Sequence, residues 1–249
     1  MPSIKAKLKP TVGFSHFVHI GLTALLPALV FICVRLHFVE LAVALILLAK
    51  WRMFAVKPRH WPANIRANAV DIIVGLSLLI FMIHSGSQAM QLVWALIYGG
   101  WLTVLKPQSS LLGVSLQAMV AQFVGLSAIF INWGDAPLYV LVILGALVCY
   151  SAARHFFTSF DEPLTRYLAD VWAYFAAALI WVLGHWLLFY GVIAQPTLLL
   201  SVIGFSLAGI YYLDQTDRLS VVLRRQVIFV MMAIVLIMLV FSDWGDKAV

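Results

Sequence analysis

The chain has 249 residues, 64% of them hydrophobic and only 10% charged, with a mean hydropathy of +1.03 and a formal charge of +6. Soluble globular chains are about 45–50% apolar and about 25% charged. The composition therefore excludes a soluble enzyme, a disordered tail, a disulfide scaffold and a nucleic-acid-binding domain, and leaves an all-α polytopic membrane protein.

A helix needs about 20 mostly apolar residues to cross the hydrocarbon core. Nine candidate spans follow in chain order, joined by short loops. The first, Thr11–Cys33, is too long for a signal peptide and lacks a small-residue cleavage site; Pro27 predicts a kink in it. The second, His37–Val56, carries Lys50 and Arg52, read as residues that snorkel to the surface. Then come Asn68–Ser85, Gln88–Leu105, Ser109–Ile131, Ala136–Ala153, Leu164–Tyr190, Pro196–Leu213 and Arg225–Ser242. The count rests most heavily on the second span and on the tight hairpin near Arg35; without both it falls by two.

With nine spans, fourteen of the sixteen basic residues fall on one side and only Arg35 and Lys247 on the other. Cytoplasmic loops carry the excess of Lys and Arg, so the expected topology has the N-terminus inside and the C-terminus outside, in the plasma membrane. The positive charge thus points to orientation and lipid contact, not to nucleic acid. The link at 50–66, with Pro58, Trp61 and Pro62, reads as an interfacial segment on anionic headgroups. A docking surface for a protein partner, or a homo-oligomer, is the alternative. Cys33 and Cys149 fall near opposite ends of their spans and are not expected to form a disulfide.

Ionisable groups within spans are costly and point to function unless their position explains them. On the inner side, His16 and His19 share one face of the first span. Asp71 opens the third, and Asp170 lies inside YLADVWAYF of the seventh. Two imidazoles and two carboxylates would suit a divalent cation or a proton relay. On the outer side stand His37, Glu40, His84, Asp135 and His185, with Glu40 the candidate for a proton-coupled step. Gln117 and Gln122, in the fifth span, suit either interhelical hydrogen bonds or the lining of a pore. Gly204, Ala208 and Gly209 suggest close helix packing.

Asp161-Glu162-Pro163 reads as the start of the seventh helix, and Asp217 as the cap of a short helix through DRLSVVLRRQ. Asp214 and Asp217 also form a DxxD at the end of the eighth span. Nine spans with acidic inner links resemble the layout of the UbiA-type prenyltransferases, which implies a Mg²⁺–diphosphate site at the inner face. That family carries a second Asp-rich motif between spans two and three. Here that link, WRMFAVKPRHWPANIRANAVD, is basic until Asp71. No serine-hydrolase elbow, HExxH, Walker A or GxGxxG occurs, and no cofactor is implied.

Three function classes follow. The leading one is a small-solute or ion transporter, proton- or cation-coupled through Glu40 or Asp170. An accessory or structural subunit of a membrane complex is the alternative. A lipid-modifying enzyme at the inner face, using Asp161, Glu162, Asp214 and Asp217, is the third.

Overall fold

The computed structural model describes residues 14–54, 57–186, 189–190 and 193–242. Among these, nine helices follow one another: α1 (Phe14–Arg35), α2 (Val39–Leu48), α3 (Trp61–Ile83), α4 (Gln88–Gly100), α5 (Leu111–Trp133), α6 (Leu138–Thr158), α7 (Thr165–Gly184), α8 (Gln195–Gln215) and α9 (Val221–Phe241). Seven of them, α3 to α9, are long and apolar enough to cross a membrane, with α3 counted from Pro58 and α4 through to Leu105. The architecture is all-α and compatible with a multi-pass membrane protein.

Local chemistry sets several of the boundaries. Ser87, Ser110 and Ser220 begin α4, α5 and α9, each accepting a hydrogen bond from the backbone N–H three residues on. The role expected of Asp217 thus belongs to Ser220. Asp217 instead turns the chain after α8 in a left-handed conformation (φ 54°). Likewise no side chain caps α7. Asp161 takes a positive φ of 52°, while Glu162 Oε1 accepts from the Leu164 N–H at 3.4 Å.

Two expected spans change shape. The second becomes a ten-residue α2, followed by a short 3₁₀ turn at Trp51–Met53. At about 1.5 Å per residue, ten residues cover about 15 Å, half of a hydrocarbon core of about 30 Å. The apolar run breaks where Lys50 turns inward. The seventh ends at Gly184 instead of Tyr190, because Phe189–Tyr190 pairs with Ile193–Ala194 in a two-stranded hairpin. The third, by contrast, starts earlier than expected, at Trp61, and its first two turns are largely exposed.

The core has two main parts. Val30, Ile46, Leu78, Met82 and Trp101 centre one among α1 to α4; Leu126, Leu141, Cys149, Ile180 and Leu200 centre the other among α5 to α8. α5 lies between them and packs on α3, α6 and α8, whereas α9 packs chiefly on α8. Both cysteines are buried and free, as expected.

Close contacts hold α5 in place. A Cβ at Gly125 would lie 2.8 Å from both Ile73 Cγ2 of α3 and Val148 Cγ1 of α6. Both neighbours are β-branched and stiff at χ1, so neither yields easily. A Cβ at Gly209 meets nothing within 4 Å. Gly125→Ala is therefore expected to cost about 1–3 kcal/mol and to lower the thermal midpoint in detergent, with Gly209→Ala close to neutral. Equal midpoints for the two variants would remove the α3–α5–α6 contact.

Candidate functional site

Polar side chains gather at the end of the bundle that holds the α4–α5 and α6–α7 links. Asp71 is the first centre. Its Oδ2 accepts a hydrogen bond from Lys50 Nζ and lies 3.4 Å from Lys106 Nζ. The Lys50 and Asp71 side chains are 11% and 16% exposed, that of Lys106 36%. The sequence reads Lys50 as snorkelling outward. It is turned onto Asp71 instead, because a carboxylate within a helix bundle is tolerated only with a partner.

The last turn of α4 delivers the second lysine. Trp101–Leu105 form a π turn, closed by the Lys106 N–H on the Trp101 carbonyl at 2.8 Å. Such turns insert a residue into the helix and re-aim the side chains beyond it. Gln117 of α5 then secures the α4–α5 corner. Its Nε2 donates to the carbonyls of Leu105 (2.7 Å) and Gln108 (3.0 Å), and its Oε1 lies 3.0 Å from His155 Nε2 of α6. One polar system thus joins the ends of α2, α3, α4, α5 and α6.

The second feature is a cavity of about 710 Å³ lined by residues of α5 to α9. Most of the lining is apolar, and small residues are part of it: Ala118, Ala152, Ala153 and Ala208. Its deep end is marked by Gln122, which is 5% exposed. Gln122 Oε1 accepts from Trp172 Nε1 at 2.9 Å, and its Nε2 donates to the Leu200 carbonyl at 3.0 Å, tying α5 to α7 and α8.

Tyr211, Asp214 and Arg224 stand at the other end of the cavity, beside the α8–α9 link. The Tyr211 hydroxyl donates to Glu162 Oε2, and its ring makes edge contacts with Phe156, Phe157 and Phe160 at 5.8, 5.2 and 5.2 Å between centroids. Among the described residues Arg224 forms no ion pair and is exposed. The cavity is within the usual size of ligand sites, about 300–1,000 Å³, with apolar and aromatic walls and polar side chains at its two ends.

Of the residues singled out in the sequence, Asp71, Gln117, Gln122 and Glu162 are in these networks and Asp214 lines the cavity. Asp170 is not: its side chain is 57% exposed, 3.9 Å from Arg166 on the same face of α7. Glu40 is exposed in the first turn of α2, and Asp135 is exposed ahead of α6. His37 is exposed with a φ of 61°. His84 and His185 are exposed at helix ends, with Nδ1 on the carbonyls of Ile80 (3.1 Å) and Trp181 (2.6 Å). The side chains of His16 and His19 lie outside the described residues. Among the described residues no three His, Cys, Asp or Glu side chains converge as metal ligands.

Gly204 brings helices together as expected, since a Cβ there would lie 2.8 Å from Gln122 Nε2 of α5 and 3.0 Å from Trp172 Cζ2 of α7, whereas a Cβ at Gly209 meets nothing within 4 Å and Ala208 lines the cavity. Lys50, Lys106, His155, Trp172 and Tyr211 do not stand out as site residues in the sequence. Asp71 itself is the signal for the lysines, since an intramembrane acid demands a cationic partner nearby. Comparison with protein-family models, with curated proteins and with solved structures finds no match.

Lys50 is the better buried of the two lysines on Asp71, and removing one partner of a buried ion pair costs about 3–5 kcal/mol. Lys50→Met is therefore expected to lower the thermal midpoint in detergent well below that of Arg59→Met, whose side chain is exposed. Equal midpoints for the two variants would contradict the burial of the Lys50–Asp71 pair.

Proposed function

We propose that this chain is a multi-pass membrane protein that binds and handles a membrane amphiphile, taking the apolar part into the α5–α9 cavity and the head at Tyr211, Asp214 and Arg224. The observation that carries this reading is the cavity's composition: an apolar interior with polar side chains confined to its deep wall and its mouth. A conduit for ions or small polar solutes requires polar lining along its length. Glu40 and Asp170, the groups expected to couple such transport, are exposed and absent from the lining.

The basic residues orient the molecule. Lys106, Arg154, Arg166, Arg218, Arg224 and Arg225 border the links α4–α5, α6–α7 and α8–α9, and Arg35 stands at the opposite end of α1. Positive-inside bias puts the cavity mouth at the cytoplasmic leaflet of the plasma membrane, with the 50–66 segment against anionic headgroups. Lipid modification at that face is the chemistry this arrangement suits, with Glu162 and Asp214 the acidic groups near the head. A purely structural subunit would leave so large a cavity without a role.

Lipid retention tests the reading. Ala208→Phe places a ring in the cavity, and native mass spectrometry of the detergent-solubilised chain is expected to show co-purified lipid falling at least about fivefold, in line with loss of a well-filled apolar site. Ala153→Phe provides an independent block. Unchanged lipid retention in both folded variants would eliminate the cavity as a lipid site.

A further inference from the structure

The Lys50–Asp71–Lys106 cluster carries more positive charge than its carboxylate neutralises. Both ammonium groups lie on the same oxygen, Oδ2 of Asp71, so the trio has a formal charge of +1. Lys50 is largely withdrawn from solvent, and two like charges that close repel strongly where water is scarce. Two partners relieve such an excess: loss of a proton, or an anion. Lys106, 36% exposed at the end of α4, keeps one flank of the cluster open.

The segment that carries Lys50 also presents exposed apolar side chains. Leu48, Trp51 and Phe54 precede and follow Lys50 in the chain and are 62%, 61% and 44% exposed. Phe54 packs edge-on against Trp61, with ring centroids 5.4 Å apart, at the exposed start of α3. Cation and exposed aromatic surface side by side at the end of membrane-spanning helices match a phospholipid: phosphate on the lysines, acyl chain along the apolar residues.

We propose that Lys50 and Lys106, spaced by Asp71, form a site for a single phosphate-type oxyanion, supplied by an anionic phospholipid headgroup. This site is separate from the α5–α9 cavity, and its occupancy does not depend on what the cavity holds. It also differs from a diffuse attraction of the 50–66 segment to the membrane: two lysines from distant parts of the chain grip one phosphate, whereas Arg59 and Arg66 are merely exposed.

Native mass spectrometry of the full chain, titrated with dioleoylphosphatidylglycerol or dioleoylphosphatidylcholine, decides the matter. The wild type is expected to retain one phosphatidylglycerol with a preference of about tenfold over phosphatidylcholine, and Lys106→Gln to reduce that preference at least about fivefold, as for loss of a charge-assisted contact. The double variant Arg59→Gln/Arg66→Gln is expected to stay within about twofold of the wild type, because diffuse surface charge contributes little at ordinary salt.

Inorganic phosphate forms the second arm. Displacement of bound lipid by phosphate confirms an oxyanion site, and binding of phosphate with no preference for phosphatidylglycerol reassigns the source to the free anion. The proposal fails if the two lipids are retained equally and phosphate does not bind. It fails equally if Lys106→Gln, folded by size-exclusion and thermal criteria, keeps the wild-type preference.

Discussion

Asp71 imposes the constraint around which this bundle is organised. A lone carboxylate in α3, at the depth where α4 ends, is expensive to ionise without compensation. Compensation comes from two directions, and each shapes the backbone. Lys50 turns inward, ending the apolar run of α2 after ten residues. Lys106 arrives through the π turn of α4. That turn leaves carbonyls of the α4–α5 corner facing α5, where Gln117 takes two of them and passes the contact on to His155 of α6. Asp71 thus ties the segments that follow α2 and α4 to α3, and Gln117 extends the contacts to α5 and α6.

Between helices in a bilayer, burial supplies little driving force, because lipid tails are as apolar as leucine. Close packing and cross-helix hydrogen bonds do the work instead, and their distribution explains the shape of the protein. Around Gly125 and Gly145 the helices touch closely: a Cβ on either would overlap neighbours on α3, α6 or α7. Gly204 lets Gln122 and Trp172 approach α8 closely, and beyond it Ala118, Ala152, Ala153 and Ala208 line open space. Gln122 bridges Trp172 and Leu200 and so sets the spacing of α5, α7 and α8 at hydrogen-bond length, while α9 leans chiefly on α8. Open space follows from polar spacers combined with small side chains, and the cavity is that space.

Much of this is legible in the sequence, for identifiable reasons. Spans with uninterrupted apolar runs, such as Gln88–Leu105 and Ser109–Ile131, emerge as α4 and α5 within a few residues. The failures fall where polar groups serve the interior. Lys50 and Lys106 carry the same signature as the lysines that set topology, and only the fold separates a snorkelling ammonium from one that neutralises Asp71. His155 lies 38 residues from Gln117, and Tyr211 lies 49 from Glu162; no local pattern encodes contacts at such separations. Gly204 and Gly209 look alike in the sequence, yet a Cβ at the first would strike Gln122 and Trp172 while one at the second meets nothing within 4 Å; small residues permit either close packing or open space, and their partners decide which. Glu40 and Asp170 draw notice as rare acids, yet helix ends and exposed faces accommodate them.

The two polar assemblies share one end of the bundle, and this bears on how an amphiphile would move. At the deep end of the cavity the Gln122–Trp172–Leu200 bonds tie α5 to α7 and α8. Beyond it, towards the start of α8, the Gln195 amide donates to Ser242 at 2.9 Å and fastens the end of α9. Passage through to the opposite end would require breaking both sets of bonds where no water replaces them, at a cost well above that of exposing the same groups in solvent. At the mouth, by contrast, Tyr211, Asp214 and Arg224 border the chain links. Entry and exit through the same leaflet therefore need the least rearrangement, and this sets a lipid-handling protein working at one face apart from a carrier that alternates between two.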